Sequence, residues 1–225
     1  MNTLNRRVSI RLVFLFLFIA ALLFIPAGTF DYWEAWTFFA VYIASTLALI
    51  LYLVKNDPQL LQRRMRGGAG AEKRPTQRTI MRLARAGFMG LIVVPALDHR
   101  FGWSHMPPAV ALAGDVLIVL GTLIIFFVFK ENTVSSATIE LAPDQKVIAT
   151  GPYALVRHPM YDGGLILLAG MPIALGSWWG LLVIVVVLPA PIWRLLDEEN
   201  FLAKNLAGYP EYQKKVQYRL VPFVW

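Results

Sequence analysis

Two stretches of the sequence combine residue types that bind charged ligands. In the first, Arg157 and His158 come directly before Pro159, which suits the first turn of a helix. A helix N-terminus beside cationic side chains favours binding of a carboxylate or a phosphate. In the second, Arg194 and Glu198 are four residues apart, so a helix places them on one face. Such a pair at a membrane surface can hold a polar headgroup and a charged cofactor.

Each stretch also has an ordinary structural interpretation when taken alone. The first fits a capped helix at a membrane interface, and the second fits a surface ion pair of about 0.3–0.5 kcal/mol. Glu199 projects about 100° away from Glu198 on a helix, so the two acids are expected to play different roles. The stretches lie at the two ends of a predicted apolar hairpin, which brings them together. Together they suit a water-soluble, zwitterionic cofactor that meets a lipid-embedded substrate.

The helices that must position these stretches follow from the apolar composition. The 225 residues are 57% hydrophobic and 16% charged, whereas soluble domains have about 45–50% and about 25%. A bilayer core of about 30 Å needs about 20 apolar residues per helix. The chain is therefore predicted to be an all-α integral membrane protein with about six transmembrane helices, five if the third, which begins among arginines, does not cross. The candidate spans are residues 11–28, 33–54, 83–98, 108–130, 161–176 and 177–195.

The distribution of basic residues predicts the orientation in the membrane. With an even number of spans, 20 of the 21 Lys and Arg fall on one side, and Arg100 is the exception. This asymmetry predicts that both termini, the long loops and the C-terminal segment are cytoplasmic. The N-terminal apolar run is expected to be an uncleaved signal-anchor helix. We divide the chain into N-terminal membrane helices with a basic loop (1–107) and a membrane-embedded region that carries both charged stretches (108–225).

Composition also limits the ligands and partners. The chain has no cysteine and three widely spaced histidines, so disulfides and thiolate chemistry are excluded and no metal site is expected. The net charge of +7 is expected to favour anionic membrane lipid over nucleic acid. The basic loop contains Gly67, Gly68 and Gly70, but it lacks the spacing of a phosphate-binding loop. We expect this loop to be flexible and to face the lipid.

Three motifs occur together in the C-terminal part of the chain. They are Gly151-x-Tyr153-x-x-x-Arg157-His158-Pro159-x-Tyr161, then Arg194-x-x-x-Glu198-Glu199, and the tail Gly208-Tyr209-x-x-Tyr212-x-x-x-Val216. With this combination the chain resembles the isoprenylcysteine carboxyl methyltransferase family, which is related to phospholipid methyltransferases. The resemblance covers residues 125–225, and the earlier spans match only as membrane helices.

The resemblance implies a methyltransferase that uses S-adenosylmethionine and releases S-adenosylhomocysteine. The substrate is then lipid-like or isoprenoid-bearing, and carboxyl O-methylation at the cytoplasmic face is the expected reaction. Arg194, Glu198 and His158 are the implied catalytic residues, and Arg194 is also the implied substrate-binding residue. The implied cofactor contacts are Glu140, Gln145, Lys146, Val147, Ile148, Tyr153, Arg157, His158, Pro159, Met160, Tyr161, Glu198 and Glu199.

The chain departs from the family pattern at three positions. Gln145 stands where the family often has histidine, and Asp162 stands where an apolar residue is commoner. Glu140 aligns only if a gap is allowed. Asp162 could favour an amine substrate or could pair with Arg157.

Other functions remain compatible with the sequence. A phospholipid or amine N-methyltransferase would share the cofactor and would need a base, for which Asp162 and Glu199 are candidates. A membrane reductase would bind NADPH instead. A transporter would give Asp115, inside the fourth span, a role in a substrate path, although pairing with a neighbouring helix is the simpler interpretation. The expected partners are membrane lipids and a lipophilic methyl acceptor.

Overall fold

The computed structural model describes residues 3–72, 74–141 and 145–225. These residues form nine α-helices and no strand. The helices are α1 (Thr3–Ala27), α2 (Trp33–Asn56), α3 (Pro58–Met65), α4 (Pro75–Phe101), α5 (Pro108–Glu131), α6 (Pro159–Ala174), α7 (Trp178–Val187), α8 (Pro189–Asn205) and α9 (Tyr209–Lys215). A 3₁₀ turn, Gly151–Ala154, precedes α6.

Five helical segments of the described chain are long and apolar enough to cross a membrane. They are Leu4–Ala27, Trp33–Asn56, Pro75–Phe101, Pro108–Glu131 and Trp178–Asn205, which comprises α7 and α8. The predicted fifth span forms as α6, which has 16 residues and is about 24 Å long at 1.5 Å per residue. That length is below the thickness of the hydrocarbon core. The protein is an all-α, multi-pass integral membrane protein, as the composition predicts.

Three of the predicted spans have different boundaries in the structure. Helix α1 begins at Thr3, eight residues before the predicted start. Helix α4 begins at Pro75, eight residues before the predicted start, because its first turns bury Gln77 and Ile80 against the rest of the bundle. The last span is interrupted at Leu188 because Pro189 and Pro191 lack the N–H that a continuous helix needs. It then continues as α8 to Asn205 and carries the charged residues beyond the apolar segment.

Helices α5 and α6 run antiparallel and pack closely through glycines spaced seven residues apart. A Cβ atom on Gly114 would lie 2.2 Å from the backbone nitrogen of Ala174, and one on Gly121 would lie 2.5 Å from the carbonyl oxygen of Gly163. A Cβ on Gly170 would lie 2.8 Å from the carbonyl oxygen of Gly114. The absence of side chains at these positions lets the two backbones touch. This contact fixes the start of α6, and with it the 157–161 turn, against the end of α5.

The turn between α6 and α7 lies at the end of the bundle opposite to the start of α6, and hydrogen bonds of Ser177 hold it there. Gly176 adopts a φ of 70°, which glycine tolerates without strain. The Ser177 hydroxyl accepts a hydrogen bond from the Gly180 backbone N–H (2.9 Å) and donates one to the buried carboxylate of Asp98 in α4. The predicted hairpin turn at residues 176–180 is confirmed, and it is anchored to α4.

We expect Gly163→Ala to destabilise the protein and Gly164→Ala to leave it unharmed. A Cβ on Gly163 would lie 2.8 Å from the carbonyl oxygen of Gly121, whereas a Cβ on Gly164 would meet nothing within 4 Å. Overpacking costs about 1–3 kcal/mol, and an alanine in an open helical position stabilises by about 0.5–1 kcal/mol. Thermal unfolding in detergent should show a lower midpoint for Gly163→Ala alone. Equal midpoints for the two variants would contradict the close packing of α5 and α6.

Candidate active site

A cavity of about 500 Å³ opens at the end of the bundle where α5 ends and α6 begins. This volume is typical of sites for small ligands. Its walls come from α3, α4, the segments between helices at 67–68, 132–140 and 145–148, the start of α6, the middle of α8 and the start of α9. The end next to the start of α6 is polar, with Arg157 and His158. The end that lies further along α6, about two turns on, is apolar, with Leu165 and Leu168.

The structure brings nearly all of the predicted site residues to this cavity. Those that line it are Glu140, Gln145, Lys146, Val147, Ile148, Tyr153, Arg157, His158, Pro159, Met160, Tyr161, Arg194 and Glu198. Glu199 is the exception, because its carboxylate lies behind the cavity wall. Residues from three separated stretches of sequence therefore meet at one place.

The predicted turn before α6 has the expected helix start. Pro159 is the first helical residue, and His158 precedes it as the N-cap residue without a side-chain capping bond. The backbone N–H groups of Arg157 and His158 donate to the carbonyl oxygens of Tyr218 and Arg219 (2.9 and 3.0 Å). The C-terminal tail therefore holds this turn in place through backbone hydrogen bonds.

Arg157 and Glu199 form a buried ion pair behind the cavity. Arg157 Nε donates to Glu199 Oε1 (2.6 Å), and both residues are less than a tenth exposed. Arg219 Nε donates to the second carboxylate oxygen (2.6 Å). Arg157 Nη1 also donates to the carbonyl oxygens of Val216 and Gln217 (2.8 and 2.7 Å). These contacts tie α6, α8 and the tail together. Glu199 was expected to contact the cofactor, but it pairs with Arg157 and does not face the cavity.

Glu198, one residue earlier, faces the cavity. Its Oε2 accepts a hydrogen bond from the Tyr161 hydroxyl (2.7 Å), and the Arg194 guanidinium lies close to the same hydroxyl. The expectation that the two acids of α8 play different roles agrees with this geometry. A hydroxyl, a carboxylate and a guanidinium thus meet between the polar and apolar ends of the cavity.

His158 carries a buried polar atom with no partner in the described chain. Its Nε2 makes no hydrogen bond there, and it lies 3.8 Å from Glu199 Oε1, which is too long for one. The ring is 5% exposed and packs edge-on to Tyr161. A buried nitrogen in this situation calls for a ligand or a water molecule.

Tyr153 is held by hydrogen bonds to its side chain and to its backbone. Its hydroxyl accepts a hydrogen bond from Asn132 Nδ2 (2.9 Å), and its carbonyl oxygen accepts one from the Tyr212 hydroxyl (2.7 Å). Burial raises the pKa of Tyr153 to about 12, so the phenol is neutral at physiological pH. Tyr212 belongs to an apolar cluster with Leu206, Tyr209 and Val216, which is how the tail motif supports the cavity.

Arg194 is held by residues that the sequence did not single out. Its Nη2 lies 2.7 Å from Glu72 Oε1 and donates to the carbonyl oxygen of Ala137 (3.0 Å). Its Nη1 donates to Gln77 Oε1 (2.7 Å). Arg194 is therefore paired with a carboxylate of the chain itself, in addition to lining the cavity as expected.

The glycine-rich loop packs on the site in part, which the expectation of a lipid-facing loop did not include, and its flexibility stays a prediction. Gly67 and Gly68 line the cavity, and a Cβ on Gly67 would lie 2.4 Å from the Cβ of Ala137. Arg64 Nη1 donates to the carbonyl oxygen of Ser136 (2.6 Å). One sequence signal could have indicated that the loop packs on the site. Glu72 is the only acid in residues 63–85, which contain eight basic residues.

Two further acids lie away from the cavity. Asp162 lines a separate, shallower groove beside Phe127 and Leu155, and Arg157, its suggested partner, pairs with Glu199 instead. Asp115 is buried in α5 and faces Thr37 of α2. This position fits the interpretation that Asp115 pairs with a neighbouring helix.

Glu140 accepts hydrogen bonds from the hydroxyls of Thr138 (2.9 Å) and Ser136 (3.2 Å) at the cavity wall.

Comparison with known proteins finds a family model that matches part of the chain. Residues 110–208 match the family model described as phospholipid methyltransferase. The match supports a methyltransferase that acts on a lipid-like substrate with S-adenosylmethionine as the implied methyl donor. The matched segment contains the 157–161 turn and the charged residues of α8, but not the loop that carries Glu72. No curated protein matches the chain.

We expect Glu199→Gln to lower stability strongly and Glu198→Gln to leave it nearly unchanged. Removing the charge of Glu199 leaves the buried guanidinium of Arg157 without its counter-charge, which costs about 3 kcal/mol or more. Glu198→Gln makes the same change one residue away and keeps an acceptor for Tyr161. Differential scanning fluorimetry in detergent measures both variants. Similar unfolding temperatures for the two would refute a structural role for the Arg157–Glu199 pair.

Proposed function

We propose that the protein is an S-adenosylmethionine-dependent methyltransferase that methylates a carboxylate on a lipid-like acceptor at the membrane surface. The observation that carries the proposal is the composition of the cavity, which joins a charged end to an apolar end. A water-soluble cofactor suits the charged end, and an acyl or isoprenoid chain suits the apolar end. Arg194, Tyr161 and Glu198 lie where the two ends meet.

The residues of the polar end fit a zwitterionic cofactor with a sulfonium centre. Glu198 and Glu140 supply carboxylates for an ammonium group or ribose hydroxyls, and the unpartnered Nε2 of His158 calls for a polar ligand atom. The other proposed contacts are Gln145, Lys146, Val147, Ile148, Tyr153, Arg157, Pro159, Met160 and Tyr161, which line the same cavity. When bound, S-adenosylmethionine supplies a methyl group that leaves its sulfur without the bonding electron pair.

The apolar end suits the chain of a lipid acceptor. Met81 of α4, Leu165 and Leu168 of α6 and Pro191 of α8 form its walls. A Cβ on Gly164 would meet nothing within 4 Å, so open space lies beside these walls. Arg194 is the cation at the boundary and is proposed to hold and orient the acceptor carboxylate. Orientation of this kind contributes several kcal/mol to a displacement reaction.

The positions of Asp162 and Glu199 favour a carboxylate acceptor over an amine. A carboxylate is already nucleophilic, whereas a protonated amine must first lose a proton to a base. The two bases suggested by the sequence are poorly placed, because Asp162 lines a different groove and Glu199 is paired with Arg157 and Arg219. Amine N-methylation stays the second candidate because the matched family is described by phospholipid methylation.

The basic residues support a cytoplasmic active site. The cavity lies at the end of the bundle where α5 ends and α6 begins, and the segments at this end carry 20 of the 21 Lys and Arg. Positive residues concentrate in cytoplasmic loops of membrane proteins. We therefore propose that both termini and the cavity face the cytoplasm.

Isothermal titration of the detergent-purified protein tests the cofactor. We expect saturable binding of S-adenosylhomocysteine and no binding of NADPH, with Glu198→Ala weakening the former about tenfold or more because a charge-assisted contact is lost. Glu211→Ala, on the exposed side of α9, is the matched control and should bind like the wild type. Binding of NADPH alone would move the protein to the reductases, and binding of neither would favour a transporter or scaffold.

The methylated atom can be identified by its chemistry. Membranes that contain the protein are incubated with S-adenosylmethionine labelled at the methyl group, and the lipids are then treated with base. A methyl ester releases volatile labelled methanol, whereas an N-methyl group stays with the lipid. We expect base-labile label that falls at least about tenfold in Arg194→Gln while binding of S-adenosylhomocysteine is retained. Base-stable label would establish the amine reaction instead.

A further inference from the structure

The Glu72–Arg194 ion pair joins the matched methyltransferase segment to a part of the chain outside it. Residues 110–208 match the family model, whereas Glu72 lies in the loop between α3 and α4. Glu72 is 3% exposed, and its Oε1 lies 2.7 Å from Arg194 Nη2. Among the described residues, Glu72 is the carboxylate within ion-pair distance of Arg194. This chain therefore supplies its own acid to the residue proposed to hold the acceptor.

The segment that carries Glu72 forms part of the cavity wall. Gly67 and Gly68 line the cavity, and Gly67 packs against Ala137. We name residues 66–72 the Glu72 segment. With this segment in place, Nη1 of Arg194 donates to Gln77 and Nη2 donates to the carbonyl oxygen of Ala137. Nη2 also lies within ion-pair distance of Glu72 Oε1, which makes no hydrogen bond in the described chain. An acceptor carboxylate can reach the same face of the guanidinium when Glu72 leaves.

The burial of this pair restricts what can replace Glu72. The Arg194 side chain is 14% exposed, and a largely buried guanidinium without a counter-charge is strongly unfavourable. Another anion, such as a carboxylate, restores the charge balance, whereas a neutral lipid or an ammonium group does not. The pair itself therefore requires an anionic ligand, and the proposed reaction makes that anion a carboxylate.

We propose that Glu72 is a specificity-determining residue that occupies Arg194 until an acceptor carboxylate exchanges with it. This inference rests on the proposed function. During the reaction, one oxygen of the acceptor carboxylate bonds to the methyl carbon while the methyl–sulfur bond breaks, its electron pair stays on sulfur, and no proton moves. The ester that forms is neutral and no longer balances Arg194. Glu72 then returns to the guanidinium and displaces the product.

Hydrogen–deuterium exchange of the full-length protein in detergent tests this exchange without relying on turnover. The probes are palmitate, methyl palmitate and hexadecylamine, which share a chain and differ in the charge of the head. We expect palmitate alone to raise amide exchange in the Glu72 segment about tenfold, since opening exposes its backbone. Methyl palmitate and hexadecylamine should leave the exchange unchanged.

Three variants show whether Glu72 is responsible. Glu72→Gln should exchange rapidly without any probe, because the ion pair is lost. The double variant Glu72→Gln/Arg194→Gln removes both charges, avoids an unpaired guanidinium, and should no longer respond to palmitate. Glu211→Gln, an exposed acid on α9, should behave like the wild type. Slow exchange in Glu72→Gln, or opening by hexadecylamine, would overturn the proposal.

A parallel titration with S-adenosylhomocysteine separates this proposal from the proposed function. Binding of S-adenosylhomocysteine with no effect of palmitate on the Glu72 segment would refute the exchange and leave the methyltransferase intact. Opening by palmitate without binding of S-adenosylhomocysteine would support the exchange and refute the methyltransferase.

Discussion

The buried ion pair between Arg157 and Glu199 is the interaction on which the arrangement of the cavity depends. It joins the turn before α6 to α8, and Arg219 and the carbonyl oxygens of Val216 and Gln217 extend it into the tail. A buried charge needs partners on all sides, so α6, α8 and the tail must come together before either charge is satisfied. The cavity lies between the elements that this pair holds.

The close packing of α5 and α6 sets the other side of the cavity. Gly114 and Gly121 of α5 face Gly170 and Gly163 of α6, and any side chain there would separate the helices. Since α6 is too short to cross the hydrocarbon core by itself, its contact with α5 supports it within the bundle. The start of α6 is thereby placed where its N-terminus and Tyr161 meet the charged residues of α8.

The charged side chains of α8 point in three directions and make contacts with three different parts of the structure. Arg194 and Glu198 face the cavity, Asp197 bonds Arg74 and Gln77 beside α4, and Glu199 pairs with Arg157. The helical period of about 100° per residue separates neighbouring acids in this way. One helix can therefore present reactive groups to a ligand and also be fixed on both flanks by ion pairs.

The sequence by itself determined the helical membrane class, the long apolar helices and the turn at 176–180, whereas the family resemblance supplied most of the residues gathered at the cavity. The first three features depend on local properties, which are apolar length and helix-start residues. Only the tertiary structure decided that Glu199 pairs with Arg157, that Asp162 lies outside the cavity, and that Glu72 and Gln77 hold Arg194. Glu72 and Arg194 are far apart in the chain, and no local pattern relates them. Their contact arises because burial of a charge selects its partner from whichever segment the packed helices bring near.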